Sequence, residues 1–225
     1  MPGPRLIADP DVIRTGTGAP LVLAHGAGGS VGLNFGQVID TLSTTRTLIG
    51  MNYPGSGATP PDPAALELPV LADAVVRTAI DAGFERFPIL GLSLGTALAA
   101  TGNRRALAAY LVSLSAPAVL GSLDRAGADA AVAATLENYP YGGADQARLA
   151  ATVDIVDTCH EIAVPTVVFA AGQDRIVLPE TTRRLATEIP GATLIEYPDA
   201  GHIFTPDEAA VWIADIDEFL RKHHL

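Results

Sequence analysis

The chain has 225 residues, of which 48% are hydrophobic and 17% are charged, a composition that supplies a core and excludes a disordered chain. The length fits one α/β domain over residues 1–225. Acidic residues number 25 against 14 Lys and Arg, and the net charge of −11 disfavours nucleic acid and anionic membranes as partners. Residues 1–10 lack an apolar signal segment and no apolar run could span a membrane, so we expect a cytoplasmic protein. The single cysteine, Cys159, has no Cys/His ligand cluster around it, which excludes a disulfide framework and a zinc site.

Short apolar runs alternate with longer segments of helical spacing along most of the chain. This alternation is typical of a mostly parallel central sheet flanked by helices, so it predicts the α/β class. The predicted strands are Val12–Thr15, Leu21–Ala24, Thr47–Met51, Phe87–Leu92, Tyr110–Leu114, Thr166–Ala170 and Thr193–Tyr197. The predicted helices are Val31–Leu42, Leu68–Asp81, Leu94–Ala108, Pro179–Glu188 and Asp207–Lys222. One segment, residues 118–162, is rich in alanine and longer than a βα crossover needs, and we interpret it as a small helical insertion over the sheet edge.

The first chemical motif is Gly91-Leu92-Ser93-Leu94-Gly95, which follows an apolar strand and precedes a helical segment. In this context G-x-S-x-G indicates a nucleophile elbow, a turn so sharp that side chains at the flanking glycines would collide with neighbouring elements. The turn presents the Ser93 hydroxyl at the carboxyl end of the sheet. The helix that follows directs its N-terminus to the same place, so the backbone N–H of Leu94 can stabilise an oxyanion. Ser93 is the candidate nucleophile, and a serine that only caps a helix is the alternative.

A serine hydroxyl needs a base to remove its proton, and five histidines are available. His202 directly follows the predicted strand Thr193–Tyr197, at the edge of the sheet where the serine is expected. The other four lie in the C-terminal tail, before a strand, or in a glycine-rich turn upstream of the serine: His223, His224, His160 and His25. His202 is therefore the candidate general base.

The base needs an acid to orient it, and Asp174 follows the predicted strand Thr166–Ala170. Asp174 gives the chain order serine, aspartate, histidine. The competing acids lie in or beside the insertion or too near the histidine in sequence: Asp124, Asp154, Asp157 and Asp199.

These motifs resemble those of the α/β-hydrolase superfamily of esterases, lipases, thioesterases and cofactor-free haloperoxidases. Five segments carry the resemblance in the family's order: His25-Gly26-Ala27-Gly28-Gly29, Asn52-Tyr53-Pro54-Gly55-Ser56-Gly57, Gly91 to Gly95, Val164 to Asp174, and Ala200-Gly201-His202. The resemblance implies the α/β-hydrolase fold and a catalytic triad of Ser93, Asp174 and His202. It also implies that the N–H of Ala27 is the second oxyanion donor, that His25 only holds its loop, and that residues 118–162 form the cap.

The sequence departs from the family pattern at Asn52, where the family frequently has Asp, which can change how that loop is anchored. The nucleophile is Ser and not Asp, which argues against epoxide-hydrolase and haloalkane-dehalogenase chemistry because both need a carboxylate nucleophile. Candidate pocket residues, each of which could equally be packing, are Leu33, Phe35, Leu136, Tyr139, Tyr141 and Phe204.

The sequence thus predicts a serine hydrolase that cleaves a small-molecule carboxylic ester or thioester through an acyl-enzyme, with no cofactor and no metal. Two alternatives stay open. A C–C bond hydrolase or lactonase would use the same triad, and a non-catalytic ligand-binding protein could share the fold.

Overall fold

The computed structural model describes residues 6–92, 122–138, 142–152 and 155–225. The chain divides into two compact units, the first made of residues 1–104, 138–153 and Leu225, the second of residues 105–137 and 154–224. The predicted helix Leu94–Ala108 and the predicted strand Tyr110–Leu114 lie outside the described residues. No helix in the described part of the chain is long and apolar enough to cross a bilayer.

The described strands are β1 (Val12–Thr15), β2 (Ala19–Ala24), β3 (Arg46–Met51), β4 (Ile89–Gly91), β5 (Val167–Ala171) and β6 (Thr193–Tyr197). The described α-helices are α1 (Val31–Leu42), α2 (Leu68–Asp81), α3 (Arg125–Asn138), α4 (Gly143–Thr152), α5 (Pro179–Glu188) and α6 (Pro206–Lys222). Five of these elements have the predicted bounds: β1, β6, α1, α2 and α5. The strand predicted over Phe87–Leu92 begins only at Ile89, because Pro88 has no N–H to donate to a ladder, and it ends at Gly91.

The described strands of the first unit form a sheet of four strands in the order β1-β3-β2-β4. Strand β2 runs parallel to β3 and β4, whereas β1 is antiparallel to β3. Every residue of β3 is buried, as expected for a central strand covered on both faces. Helix α1 buries Val31, Phe35, Val38 and Leu42, which recur at helical spacing on one face. The sheet and its helices therefore form the layered α/β arrangement that the sequence predicts.

The second unit contains the parallel pair β5 and β6 with α5 and α6. Cys159 is buried here with Val168 and Ile189 as a small apolar side chain. Helix α6 begins with a capping box, in which the Thr205 hydroxyl accepts from the Glu208 N–H and the Glu208 carboxylate accepts from the Thr205 N–H. This cap fixes the chain directly after the loop that carries His202.

The segment predicted as an insertion contains α3, α4 and a short 3₁₀ helix at Val156–Glu161. The contacts of α4 place it in the first unit, whereas residues of α3 up to Glu137 group with the second. The interpretation of residues 118–162 as a cap on a single domain stays a prediction.

Candidate active site

The best-defined element of the site is the pair of Asp174 and His202, which lies in the second unit. Asp174 follows β5, His202 follows β6, and because the two strands are parallel their carboxyl ends lie side by side. The distance between His202 Nδ1 and Asp174 Oδ2 is 2.8 Å, and the side chains are only 16% and 10% exposed, respectively. An ionised carboxylate can only accept, so Nδ1 carries the proton and donates it to Asp174. In the described part of the chain, Nε2 has no hydrogen-bond partner and is left available for proton transfer.

Asp174 is itself held by its other carboxylate oxygen. Oδ1 accepts hydrogen bonds from the backbone N–H groups of Ile176 (2.8 Å) and Val177 (3.0 Å). These bonds fix the side-chain rotamer and leave Oδ2 free for the histidine. The aspartate is therefore oriented before any substrate arrives.

The loops that carry the pair are joined by backbone hydrogen bonds. The Gly172 N–H donates to the Tyr197 carbonyl (2.8 Å), and the Gln173 N–H donates to the Ala200 carbonyl (2.8 Å). A Cβ at Gly172 would lie 2.4 Å from the carbonyl oxygen of Pro198, so only glycine allows the loops to approach this closely. This contact sets the spacing that lets Asp174 reach His202.

Aromatic side chains pack against one another next to the loop that carries His202. Phe204 contacts both Tyr197 and Trp212 edge-on, with ring centroids 5.4 and 5.5 Å apart. The Tyr197 hydroxyl donates to Asp215 at 2.6 Å, and burial together with this carboxylate raises the pKa of Tyr197. Phe204 thus helps to position the loop, and its predicted contact with a substrate stays a prediction.

The other aspartates considered as partners of His202 do not contact it in the described part of the chain. Asp124 accepts from the Gly127 N–H near the start of α3, and Asp157 and Asp199 are exposed. Asp154 lies outside the described residues. Asp174 is the carboxylate that contacts His202, and its role as the acid of a triad stays a prediction.

In the first unit, His25 is buried and has both ring nitrogens occupied. Nε2 accepts from the Tyr53 N–H (2.9 Å), so the proton lies on Nδ1, which donates to the Gly26 carbonyl (2.8 Å). Burial lowers the pKa of His25 to about 4. The ring also stacks on Tyr53 at a centroid distance of 3.9 Å. The ring is neutral near neutral pH and both of its nitrogens are held in hydrogen bonds, so it holds its loop and neither nitrogen is available to transfer a proton.

In the loop after His25, the structure gives acceptors to three glycine N–H groups. The Gly26 N–H donates to Asn34 Oδ1 (2.9 Å), the Gly28 N–H to Gln146 Oε1 (2.9 Å) and the Gly29 N–H to the Gly26 carbonyl (3.2 Å). The Ala27 N–H has no acceptor among the described residues. The family resemblance assigns this amide to the oxyanion, and that role stays a prediction.

Asn52, the departure from the family pattern, has a specific partner. Its Oδ1 accepts from the Val31 N–H (2.7 Å) at the start of α1, and its Nδ2 donates to Asp11 Oδ2 (2.7 Å). Asp11 also accepts from the Ala58 N–H (2.9 Å). An aspartate at position 52 would place two carboxylates together, so the amide fits because Asp11 already supplies the charge.

The remaining predicted site residues divide into three groups. Ser93, Leu94, Tyr139 and Tyr141 lie outside the described residues. Phe35 is 0% exposed on the core face of α1; it offers no surface to a substrate, and its prediction as a pocket residue is wrong. Leu33 is exposed on α1 and Leu136 lies within α3, and their pocket roles stay predictions. No group of three or more potential metal ligands occurs in the described ranges.

The sequence is similar to a known protein family and to a known enzyme. A sequence model of the alpha/beta hydrolase family matches residues 21–216. The chain belongs to the alpha/beta hydrolase family. It is 25% identical over 235 aligned residues to pyrrolizixenacetamide deacetylase from Xenorhabdus hominickii, covering 86% of this chain and 88% of that protein. The superfamily predicted from the motifs is confirmed, and hydrolysis is the activity that family and relative support.

Solved structures confirm the alpha/beta hydrolase fold. An esterase from Exiguobacterium antarcticum superimposes with a TM-score of 0.79 at 14% identity, covering 94% of this chain and 95% of that one. An enol-lactonase from Burkholderia xenovorans LB400 superimposes with a TM-score of 0.74 at 18% identity, covering 94% of this chain and 96% of that one. These likenesses establish the fold that the sequence predicted.

Gln146 is a buried residue whose contacts are not predicted from the sequence. Its partners lie far away in the chain, in the Gly28 loop and in the turn at Pro54 and Ser56. The hydrophobic pattern of α4 carries no signal for such contacts.

Proposed function

We propose that this alpha/beta hydrolase is a serine hydrolase that cleaves a carboxylic ester or thioester of a small molecule. The observation that carries the proposal is the Asp174–His202 pair, whose 2.8 Å hydrogen bond holds Nδ1 protonated and leaves Nε2 as a base. The acidic surface supports a neutral or cationic substrate over a polyanion such as nucleic acid, and disfavours an anionic membrane as a partner. The proposed reaction needs no cofactor.

In the proposed first step, the Ser93 oxygen attacks the carbonyl carbon while His202 Nε2 accepts the hydroxyl proton. The carbonyl oxygen becomes negatively charged and accepts hydrogen bonds from the N–H groups of Ala27 and Leu94. Collapse of the tetrahedral intermediate breaks the bond to the leaving group, which takes the proton from His202. The products of this half-reaction are the acyl-Ser93 ester and the free alcohol or thiol.

In the second half-reaction a water molecule attacks the acyl carbon and gives its proton to His202. The intermediate collapses with return of that proton to Ser93, which releases the carboxylic acid. Throughout, Asp174 stabilises the imidazolium and fixes the tautomer.

Asp174→Asn tests the role of the pair. The Ile176 and Val177 N–H groups require an acceptor at Oδ1, so the new amide must direct its NH₂ group at His202. A donor at that position forces Nδ1 to accept and moves the ring proton to Nε2, where the base is needed. We expect kcat on p-nitrophenyl acetate to fall by about three to four orders of magnitude with the melting temperature nearly unchanged. Asp199→Asn, at an exposed position, is the matched control and should retain full activity. Wild-type turnover by Asp174→Asn would contradict the proposal.

A second candidate activity is amide deacetylation, which the deacetylase from Xenorhabdus hominickii favours. An amide nitrogen is a poor leaving group unless His202 protonates it, whereas p-nitrophenolate leaves without a proton. Turnover should therefore be compared on p-nitrophenyl acetate, its thioester counterpart, p-nitroacetanilide and a simple lactone. Because these substrates differ in intrinsic reactivity, each rate is divided by the rate of uncatalysed hydrolysis of the same substrate. The largest enhancement on the ester or thioester supports the first candidate, on the anilide the second, and on the lactone the lactonase alternative.

A further inference from the structure

We infer that Gln146, in helix α4, is a positioning residue for the oxyanion loop, by which we mean Gly26 to Gly29. This inference rests on the proposed function. The side chain is 1% exposed. It joins two segments that precede it by about ninety or more residues and that each carry a family motif. All of these residues belong to the first unit.

The amide of Gln146 uses both of its ends. Oε1 accepts from the Gly28 N–H (2.9 Å), while Nε2 donates to the Pro54 carbonyl (3.1 Å) and to the Ser56 hydroxyl oxygen (2.8 Å). Turning the amide by 180° would place NH₂ against an N–H donor and a carbonyl oxygen against a carbonyl oxygen. The orientation is therefore determined by its partners, and the side chain has one arrangement that satisfies them.

Two glycines allow α4 to come close enough for these bonds. The Gly142 N–H, just before α4, donates to the Gly55 carbonyl (2.9 Å). A Cβ at Gly55 would lie 2.3 Å from the Cα of Gly142, so the two backbones are in direct contact. Leu149, one turn after Gln146, packs against the core of the first unit. The start of α4 is thus anchored to the turn at Gly55, which holds Gln146 in place.

The N–H groups on both sides of Ala27 are bound by side chains. Asn34 takes the Gly26 N–H on one side of Ala27, and Gln146 takes the Gly28 N–H on the other. Gly28 has φ of +70°, a left-handed conformation that a loose loop would leave easily. Because both flanking amides are held by side chains, the Ala27 N–H is the donor that remains, and its direction is fixed. Loss of the Gln146 side chain frees the Gly28 N–H and so removes the restraint on one side of Ala27.

The test is Gln146→Met, which keeps the length and approximate volume of the side chain and removes all three hydrogen bonds. Deleting an oxyanion donor outright lowers kcat by about a hundred- to a thousandfold. Freeing the loop that directs the donor should lower kcat by about ten- to a hundredfold, with KM within about twofold of wild type. Gln37→Met makes the same chemical change at an exposed position of α1 and should leave both constants unchanged.

A second readout isolates the oxyanion. A trifluoromethyl ketone reacts with the serine to give a tetrahedral adduct that carries an oxyanion. In Gln146→Met its inhibition constant should therefore rise by about the factor by which kcat falls. Ser56→Ala removes one acceptor and leaves Gln146 present, and it should move both quantities in the same direction by a smaller factor. If Gln146→Met does not fold, Ser56→Ala decides the question alone.

The outcomes separate this inference from the proposed function. If wild type turns over substrate in a Ser93-dependent way and Gln146→Met retains wild-type kcat and inhibitor affinity, the inference is wrong and the proposed function stands. A raised KM with unchanged kcat would also overturn it, because Gln146 would then act in substrate binding. Turnover that does not depend on Ser93 would instead overturn the proposed function.

Discussion

Replacing Asn52 by Asp probes how the turn at Asn52 is anchored to Asp11. In the wild type, Nδ2 of the buried Asn52 amide donates to Asp11 Oδ2 at 2.7 Å. Asn52→Asp keeps the acceptor for the Val31 N–H and places a second carboxylate oxygen against the first. Two carboxylates at this distance share a proton, because a carboxylic acid can donate where the amide did.

The cost of keeping that proton sets the magnitude. A carboxyl group with an ordinary pKa near 4 must stay protonated at pH 7, about three pH units away, and each unit costs about 1.4 kcal/mol, which gives about 4 kcal/mol. The variant's folded state has the raised pKa, so it binds more protons than its unfolded state above pH 4. Its stability deficit relative to wild type should therefore shrink as the pH falls from 7 towards 4.

Urea unfolding of wild type and variant at pH 7, 5.5 and 4 measures this deficit. The matched variants are Asp11→Asn and the double exchange Asp11→Asn/Asn52→Asp, which restores one amide facing one carboxylate and should recover at least half of the loss. A deficit independent of pH, or a double variant no more stable than Asn52→Asp alone, would refute the reasoning.

Two further predictions concern the loops of the site. His25→Gln should be less stable than wild type at pH 7, and the gap should narrow by about 3 kcal/mol by pH 4, because only wild type loses stability as pH falls from 6.5 towards the lowered pKa of about 4. Denaturant unfolding across this range checks it, and a constant gap would count against a neutral buried ring. Gly172→Ala should lower kcat at least tenfold, because its Cβ would lie 2.4 Å from the Pro198 oxygen and push the two loops apart. Gly36→Ala, on α1 with open space at its Cβ, is the control and should keep full activity.

The elements predicted best are those with strong local signals. Helices α2 and α5 have proline in their first turn, and α1 has the Ser30 cap, so their beginnings follow from the sequence. The Asp174–His202 pair was predictable because each residue directly follows an apolar strand, and parallel strands bring their carboxyl ends together. The local sequence pattern and the order of the strands were therefore enough to predict that these two residues lie close together.

The sequence could not predict features that depend on distant partners. Phe35 has the same aromatic character whether it lines a pocket or fills the core, and only the packing of α1 decides. The three hydrogen bonds of Gln146 join residues 90 to 118 positions apart, a separation at which no periodicity reports contact. The compatibility of Asn52 with its turn depends in the same way on Asp11, which lies 41 residues earlier.

The most direct test of the central claim is covalent labelling of Ser93. Wild type and Ser93→Ala should be treated with a fluorophosphonate probe, digested and analysed by mass spectrometry, with p-nitrophenyl acetate turnover measured on the same samples. The account predicts one adduct on the peptide that contains Ser93, its loss in Ser93→Ala, and a fall in turnover of several orders of magnitude. An adduct on another residue, or full turnover by Ser93→Ala, would contradict it.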